Sequence, residues 1–270
     1  MSRKPRPVQT LSRIVMLCCA VVAVLLTVTA RAADDDKADK PGKGPAEFKS
    51  LKYRLVGPAV GGRVSRVSGV PGNPLVYYAA TASGGVWKSE DGGIDWKPIF
   101  DDQPISSTGS IAVAPSDPNV LYVGSGEANI RGNVADGNGI YKSTDAGKTW
   151  NHVWKQVGAI GTMVVHPKNP DIAFAAVLGR AFGPNPERGV YRTKDGGGTW
   201  EQVLKVSPQT GAIDVTLDVK NPNTLLASMW TVQRAPWTID SGSKSLESGI
   251  FRSTDGGNTW QKVTRGLPQG

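Results

Sequence analysis

Cysteine is almost missing from this chain. Only Cys18 and Cys19 occur, and both lie inside the one long apolar run, Ile14 to Ala30. If that run is removed on export, no disulfide, zinc–thiolate site or cysteine nucleophile can exist in what remains. Histidine is as scarce. His152 follows a Trp and His166 precedes a Pro, so neither a histidine metal centre nor a Ser-His-Asp triad is expected. Charge of one sign is also limited. The net charge is +8, but the first 32 residues hold Arg3, Lys4, Arg6, Arg13 and Arg31 and no acid. Without those five the balance is 26 basic against 23 acidic, too even for a nucleic-acid surface. No Gly-x-Ser-x-Gly elbow or phosphate loop is present, and no cofactor or metal is expected.

The N-terminal order is charged, then apolar, then Ala30-Arg31-Ala32. Small residues at Ala30 and Ala32 make a cleavage site, so residues 1–32 read as a secretory signal peptide cut after Ala32. The apolar run has 17 residues, at the short limit for a spanning helix, and no membrane span is expected after cleavage. No Arg-Arg pair precedes it, which favours the general secretion route. Val15-Met16-Leu17 lacks the small residues expected before a lipid-bearing Cys18. The expected location is secreted or periplasmic. Residues 33–50 carry Asp34-Asp35-Asp36-Lys37 and then Lys, Pro and Gly. They bury too little to fold and read as a flexible leader.

What the chain has in abundance is Gly, at 33 residues, and Pro, at 19. Many of the glycines belong to a repeat. Gly85–Trp96, Gly139–Trp150, Gly189–Trp200 and Gly249–Trp260 share one pattern. It runs Gly, Val or Ile, aromatic, Lys or Arg, Ser or Thr, any residue, Asp, any residue, Gly, two of any kind, Trp. The hydroxyl positions Ser89, Ser143, Thr193 and Ser253 are spaced by 54, 50 and 60 residues. Before each copy lies a turn signal: Pro71-Gly72-Asn73-Pro74, Pro115-Ser116-Asp117-Pro118, Pro167-Lys168-Asn169-Pro170 or Lys220-Asn221-Pro222. Apolar runs with period-two alternation flank each turn and predict strands. Each unit therefore has four antiparallel strands, and repeats of roughly 50 residues predict all-β propeller blades over residues 51–270. Gly supplies the positive φ of the hairpin, Asp can accept hydrogen bonds from its own turn, and Trp supplies buried area. Asp91, Asp145, Asp195 and Asp255, with Trp96, Trp150, Trp200 and Trp260, are read as structural.

Up-down connectivity sorts the loops. The Pro turns and the Asp-x-Gly turns share one end of the blades. The second-to-third loops and the inter-blade links share the other. At that end the loop is short in the first blade, around Ser83-Gly84. It then lengthens to Glu127–Asn138, Gly179–Arg188 and Thr231–Ser248. Long loops on a rigid scaffold are where binding concentrates. Arg63, Glu127, Arg131, Arg180, Arg188, Trp230, Arg234 and Trp237 are the expected ligand-binding residues. Glu127, Asp136 and Asp240 are the carboxylates available for acid–base work.

The repeat resembles the Asp-box, or bacterial neuraminidase repeat, with its Ser/Thr-x-Asp-x-Gly-x-Thr-Trp pattern. Copies two to four match it in full, and copy one has Asp95 where Thr is usual. That resemblance implies a propeller like those of sialidases, family 74 xyloglucanases and sortilin-type receptors. Gly61-Gly62-Arg63-Val64 and Gly124-Ser125-Gly126-Glu127-Ala128-Asn129 are similar to secreted bacterial proteins with a sortilin-like N-terminal domain, often labelled glycosyl hydrolases. In the xyloglucanases a catalytic Asp belongs to an Arg-Thr-Asp-Val-Gly-Gly segment. The matching stretch here is Ala80-Thr81-Ala82-Ser83-Gly84-Gly85, with Ala82 in the Asp position. The sialidase Arg motif is not intact; Tyr53-Arg54-Leu55-Val56-Gly57-Pro58 reads as an outer strand closing the ring. The expected function is a binding platform for polysaccharide or extracellular protein, with a glycoside hydrolase and a sortilin-like peptide module as alternatives. Four blades are visible, and Thr264–Gly270 resembles an inter-blade link, so they are expected to be part of a larger ring.

Overall fold

The strand Thr108–Ala114 shows how the repeat builds its fold. Every residue of Thr-Gly-Ser-Ile-Ala-Val-Ala is buried. Its large side chains, Ile111 and Val113, pack on one side, and its small ones, Ala112 and Ala114, on the other. Such a strand lies between two sheets, and its alternation is one of size rather than of polarity. A computed structural model describes residues 62–235, 237–241 and 245–267. The expected signal peptide with Ala30 and Ala32, the expected leader and the Tyr53–Pro58 stretch lie outside the described residues.

Four sheets of four antiparallel strands follow one another along the chain. The first holds β1 (Val64–Val70), β2 (Asn73–Thr81), β3 (Val86–Ser89) and β4 (Lys97–Pro98). The second holds β5 (Thr108–Ala114), β6 (Asp117–Ser125), β7 (Ile140–Ser143) and β8 (Asn151–Trp154). The third holds β9 (Ala159–Val165), β10 (Ala173–Gly179), β11 (Gly189–Thr193) and β12 (Glu201–Leu204). The fourth holds β13 (Thr210–Leu217), β14 (Leu225–Thr231), β17 (Gly249–Ser253) and β18 (Gln261–Lys262). The hairpin β15 (Gln233–Ala235) and β16 (Thr238–Asp240) is inserted between β14 and β17. No helix occurs among the described residues. These sheets are the blades of a β-propeller.

Three apolar cores fill the spaces between consecutive blades. Tyr78, Val86 and Phe100 meet Ile111, Leu121 and Tyr141; Ala112, Tyr122 and Ile140 meet Ile160, Met163 and Tyr191; Phe174 and Val190 meet Val215, Leu225 and Met229. Burying each of the larger side chains contributes roughly 1.5–3 kcal/mol. Glycines let the first strands approach. A Cβ at Gly161 in β9 would lie 2.1 Å from the Ile213 carbonyl oxygen of β13.

One polar residue per blade occupies the same register on these first strands. Arg66, Ser110, Thr162 and Asp214 pair with Ala80, Gly124, Ala176 and Ser228 of the second strands. The Arg66 guanidinium donates to the Gly161 carbonyl at 3.2 Å and to the Thr162 hydroxyl, which in turn donates to Asp214. Arg66 and Asp214 are 3.8 Å apart. This chain of contacts joins blades one, three and four.

Candidate functional site

The two ends of the blades use their polar groups differently. At the turn end the same bonds recur four times. The hydroxyl of Ser89, Ser143, Thr193 or Ser253 donates to the Asp Oδ1 two residues on, at 2.7–2.8 Å. It also accepts the N–H of the glycine four residues on, at 2.8–2.9 Å. In copies two to four the Thr hydroxyl then donates to the second Asp oxygen at 2.6–2.7 Å. Hydrogen bonds to the charged form favour it. Those from Thr149, Thr199 and Thr259 bring Asp145, Asp195 and Asp255 down to about 2. Asp91 is also lowered, mainly by the Asp95 N–H, without a hydroxyl at that position. These carboxylates are spent inside their own hairpins. Trp96 and Trp260 donate their indole N–H to the turn carbonyls of Gly93 and Gly257, and Trp150 donates to Ile99 of the preceding blade. Trp200 packs on Tyr122 edge to face, at 6.5 Å.

At the loop end the expected residues pair across blades. Arg63 forms a two-point ion pair with Glu127, with Nε 2.7 Å from Oε1. Glu127 is only 2% exposed, and its N–H donates to the Ala135 carbonyl. Its bond to Arg63 raises the arginine further, against the opposing effect of burial. Asp136 accepts from Arg180 at 3.3 Å, linking the loops of blades two and three. Ala82, in the position that resembles the xyloglucanase Asp, is buried.

Arg188 is 1% exposed and forms no ion pair among the described residues. Its terminal nitrogens donate to the carbonyls of Gln209, Val232, Arg180 and Gly183. Burial pushes it down to about 10. It therefore staples the blade-three loop, the following link and the blade-four loop together, rather than facing solvent.

The Thr231–Ser248 segment contains more order than the sequence suggests, because β15 and β16 pair within it. Arg234 holds this hairpin. Its Nε donates to the Arg131 carbonyl at 3.1 Å, and its Nη1 donates to the Ala235 and Thr238 carbonyls. Trp237 sits at the hairpin tip with φ of 64°, 97% exposed. Trp230 is half-buried and donates to the Ser241 carbonyl. A cavity of about 80 Å³ opens beside the hairpin, lined by Pro184, Gln209, Thr231, Val232, Gln233 and Asp240. It has room for one small polar group rather than a whole sugar ring.

Two features here carry no sequence signal. Glu247 accepts from Ser207 and Thr210 at 2.6 Å each, which lowers its pKa. A second cavity of about 300 Å³ lies beside the short first-blade loop, lined by Ser83, Gly84, Trp87, Asp101, Gln103 and Ile105 among others. Trp87 occupies the aromatic position of the repeat and so reads as core. Among the described residues, no group of three His, Cys, Asp or Glu could hold a metal, and no helix is long and apolar enough to cross a membrane.

Comparison with known proteins agrees with this architecture. The family model described as "Sortilin, neurotensin receptor 3" matches residues 138–269. A xyloglucanase of Hypocrea jecorina (strain QM6a) is 28% identical over 245 residues, 80% of this chain and 27% of that protein. A xyloglucanase of a Paenibacillus species is 28% identical over 214 residues, 71% of this chain and 19% of its own length. Among solved structures, an ancestral GH74 enzyme aligns with a TM-score of 0.59 at 21% identity, over 80% of this chain and 27% of that one. The GH74 xyloglucanase of Xanthomonas campestris gives 0.58 at 18%, over 81% and 32%. The chain is a β-propeller, similar in sequence to these xyloglucanases and in fold to the GH74 structures. It spans about a quarter of the length of the Hypocrea xyloglucanase and less of the Paenibacillus one.

Proposed function

We propose that this propeller is a secreted binding platform for polysaccharide, with the blade-four hairpin as its contact element. The observation that carries this reading is Trp237, an indole exposed at a tip that Arg234 holds in place. A solvent-exposed aromatic on an anchored turn offers a flat apolar face to a sugar ring at small ordering cost. The cavity beside it, with Gln209, Gln233 and Asp240, can take a hydroxyl or hydroxymethyl group. The named activity of the curated relatives makes xyloglucan the first polysaccharide to try.

A hydrolytic reading finds less support. Ala82 cannot serve as an acid or base, and Glu127 has both oxygens on Arg63. Asp136 is paired with Arg180, and Asp240 lines the small cavity beside the hairpin. The test is affinity electrophoresis through gels containing xyloglucan, mixed-linkage glucan or xylan. Retardation by one of them is expected, with Trp237→Ala weakening it about tenfold and leaving the melting temperature unchanged. Equal migration of wild type and variant in every gel would end the proposal. Release of reducing ends that is lost in Asp240→Asn would replace it with the hydrolase.

A further inference from the structure

Residues 180–188 join β10 to β11 without a strand of their own. Their backbone is nonetheless held on either side of one residue. The Arg180 carbonyl accepts from Asn185 Nδ2 at 3.1 Å and from Arg188 Nη2 at 2.9 Å. The Gly183 carbonyl accepts from the same two groups, at 3.0 and 3.4 Å. Between them, the Ala181 carbonyl accepts the Arg234 N–H of the blade-four hairpin at 2.7 Å. Further along, the Asn185 N–H donates to the Pro208 carbonyl, and Gln202 Nε2 donates to the Pro186 and Arg188 carbonyls. Asn185 is 8% exposed, so this clamp lies inside the loop. Gly179 lets the loop close on it: φ there is +78°, and a Cβ would lie 2.2 Å from Asn185 Oδ1.

What the clamp displays is Phe182. Its neighbour Ala181 is buried, whereas Phe182 is 51% exposed. Blade three has blade two on one side and blade four on the other, so this exposure belongs to the loop end and not to an open blade face. A ring whose flanking backbone is already fixed loses little freedom on binding. The surroundings show what it suits. Arg180 is exposed beside it, and Pro184 is one wall of the cavity of about 80 Å³ whose other walls include Thr231, Gln233 and Asp240. An aromatic face next to a few hydrogen-bonding groups matches a sugar, which has an apolar C–H face and a polar edge. Chain reach keeps Phe182 near Trp237. Phe182 follows Ala181, Ala181 is bonded to Arg234, and Trp237 is three positions beyond Arg234. The two α-carbons are therefore within about 20 Å of each other. The cavity lies between the loop and the hairpin that carry them. We propose that Phe182 is a second sugar-stacking residue, and that the ligand is an extended polysaccharide chain laid across the blade-three loop and the blade-four hairpin. The inference rests on the platform reading above and gives its ligand a minimum length: the chain interior is bound, not a single sugar.

The test uses whichever of the xyloglucan, mixed-linkage glucan or xylan gels retards the wild type. Phe182→Ala should weaken retardation about tenfold, and Phe182→Tyr, which keeps a ring, should retain it. A soluble hexasaccharide of the same backbone should compete at least about tenfold better than the disaccharide, and Phe182→Ala should narrow that gap. Phe182 is exposed, so the melting temperature should not change in either variant. Retardation that Trp237→Ala weakens and Phe182→Ala does not would overturn this inference and leave the platform standing. So would a loss in Phe182→Ala that Phe182→Tyr shares. A disaccharide that competes as well as the hexasaccharide would overturn the extended chain. Retardation in none of the gels would remove the platform, and this inference with it.

Discussion

The turn end and the loop end of these blades are built from the same strands yet solve opposite problems. At the turn end, four hairpins repeat one set of bonds, and each Asp finds its donors within four residues. At the loop end no two blades agree. Arg63 reaches Glu127 across 64 positions, Arg234 reaches the Arg131 carbonyl across 103, and Arg188 ties three segments together. The regular end fixes the sheets locally. The irregular end can therefore vary, because its loops are anchored to a frame they do not need to create. Trp237 can stay bare in solvent there without loosening a core.

Two glycines, one from each end, differ in how closely they are packed. Gly197 has φ of +98°, and a Cβ on it would lie 3.0 Å from Val153 of the preceding blade. Gly197→Ala should combine left-handed strain with overpacking and cost about 2 kcal/mol or more. Gly183, in the blade-three loop, has no neighbour within 4 Å of its would-be Cβ. Gly183→Ala should leave the denaturant midpoint where it is. Equal effects from the two would mean that the close approach of Gly197 to Val153 carries no cost.

A smaller effect of opposite sign is expected at Ala146. It holds the position of Gly92, Gly196 and Gly256 and shares their positive φ, at 58°. Ala146→Gly should relieve strain of about 1–2 kcal/mol while making the unfolded chain freer by about 0.4–1. The net expectation is a gain of roughly 0.5–1 kcal/mol, read as a higher midpoint in chemical denaturation. A lower midpoint would mean that the turn is not strained.

The same contrast governs what the sequence discloses. The Gly, Asp and Trp periodicity announces four blades, their hairpins and the end at which loops lengthen, because those features are local and repeated. The pairing of Arg63 with Glu127 depends on how blades are set beside one another, which no repeat encodes. Arg188 lies in a loop and reads as a surface cation; its burial follows from carbonyls contributed by two later segments. The hairpin at 233–240 is hidden for a different reason. Its turn carries Pro236-Trp237 and no Gly, so nothing in its composition announces a positive φ. Arg66, Thr162 and Asp214 share a register across three blades, but three different side chains do not look like a motif.

The smallest effect isolates the one irregularity within the regular end. Copies two to four place a Thr hydroxyl on the second Asp oxygen, and copy one has Asp95 there. Asp145, Asp195 and Asp255 sit at about 2, below the unfolded value near 3.9. A folded pKa below the unfolded one contributes stability that is fully present above about pH 4 and is lost as pH falls towards about 2. Asp91 lies in the same direction but without the hydroxyl donor. Asp95→Thr should supply that donor and remove a neighbouring carboxylate, and both changes favour the charged form of Asp91. Carboxyl titration by NMR should show Asp91 moving down towards its three counterparts. These groups are at least partly exposed, so thermal stability at neutral pH should rise only slightly. An Asp91 titration that does not move in Asp95→Thr would show that the backbone N–H groups and the Ser89 hydroxyl set the carboxylate, and that the Thr hydroxyl in the other three hairpins is incidental to it.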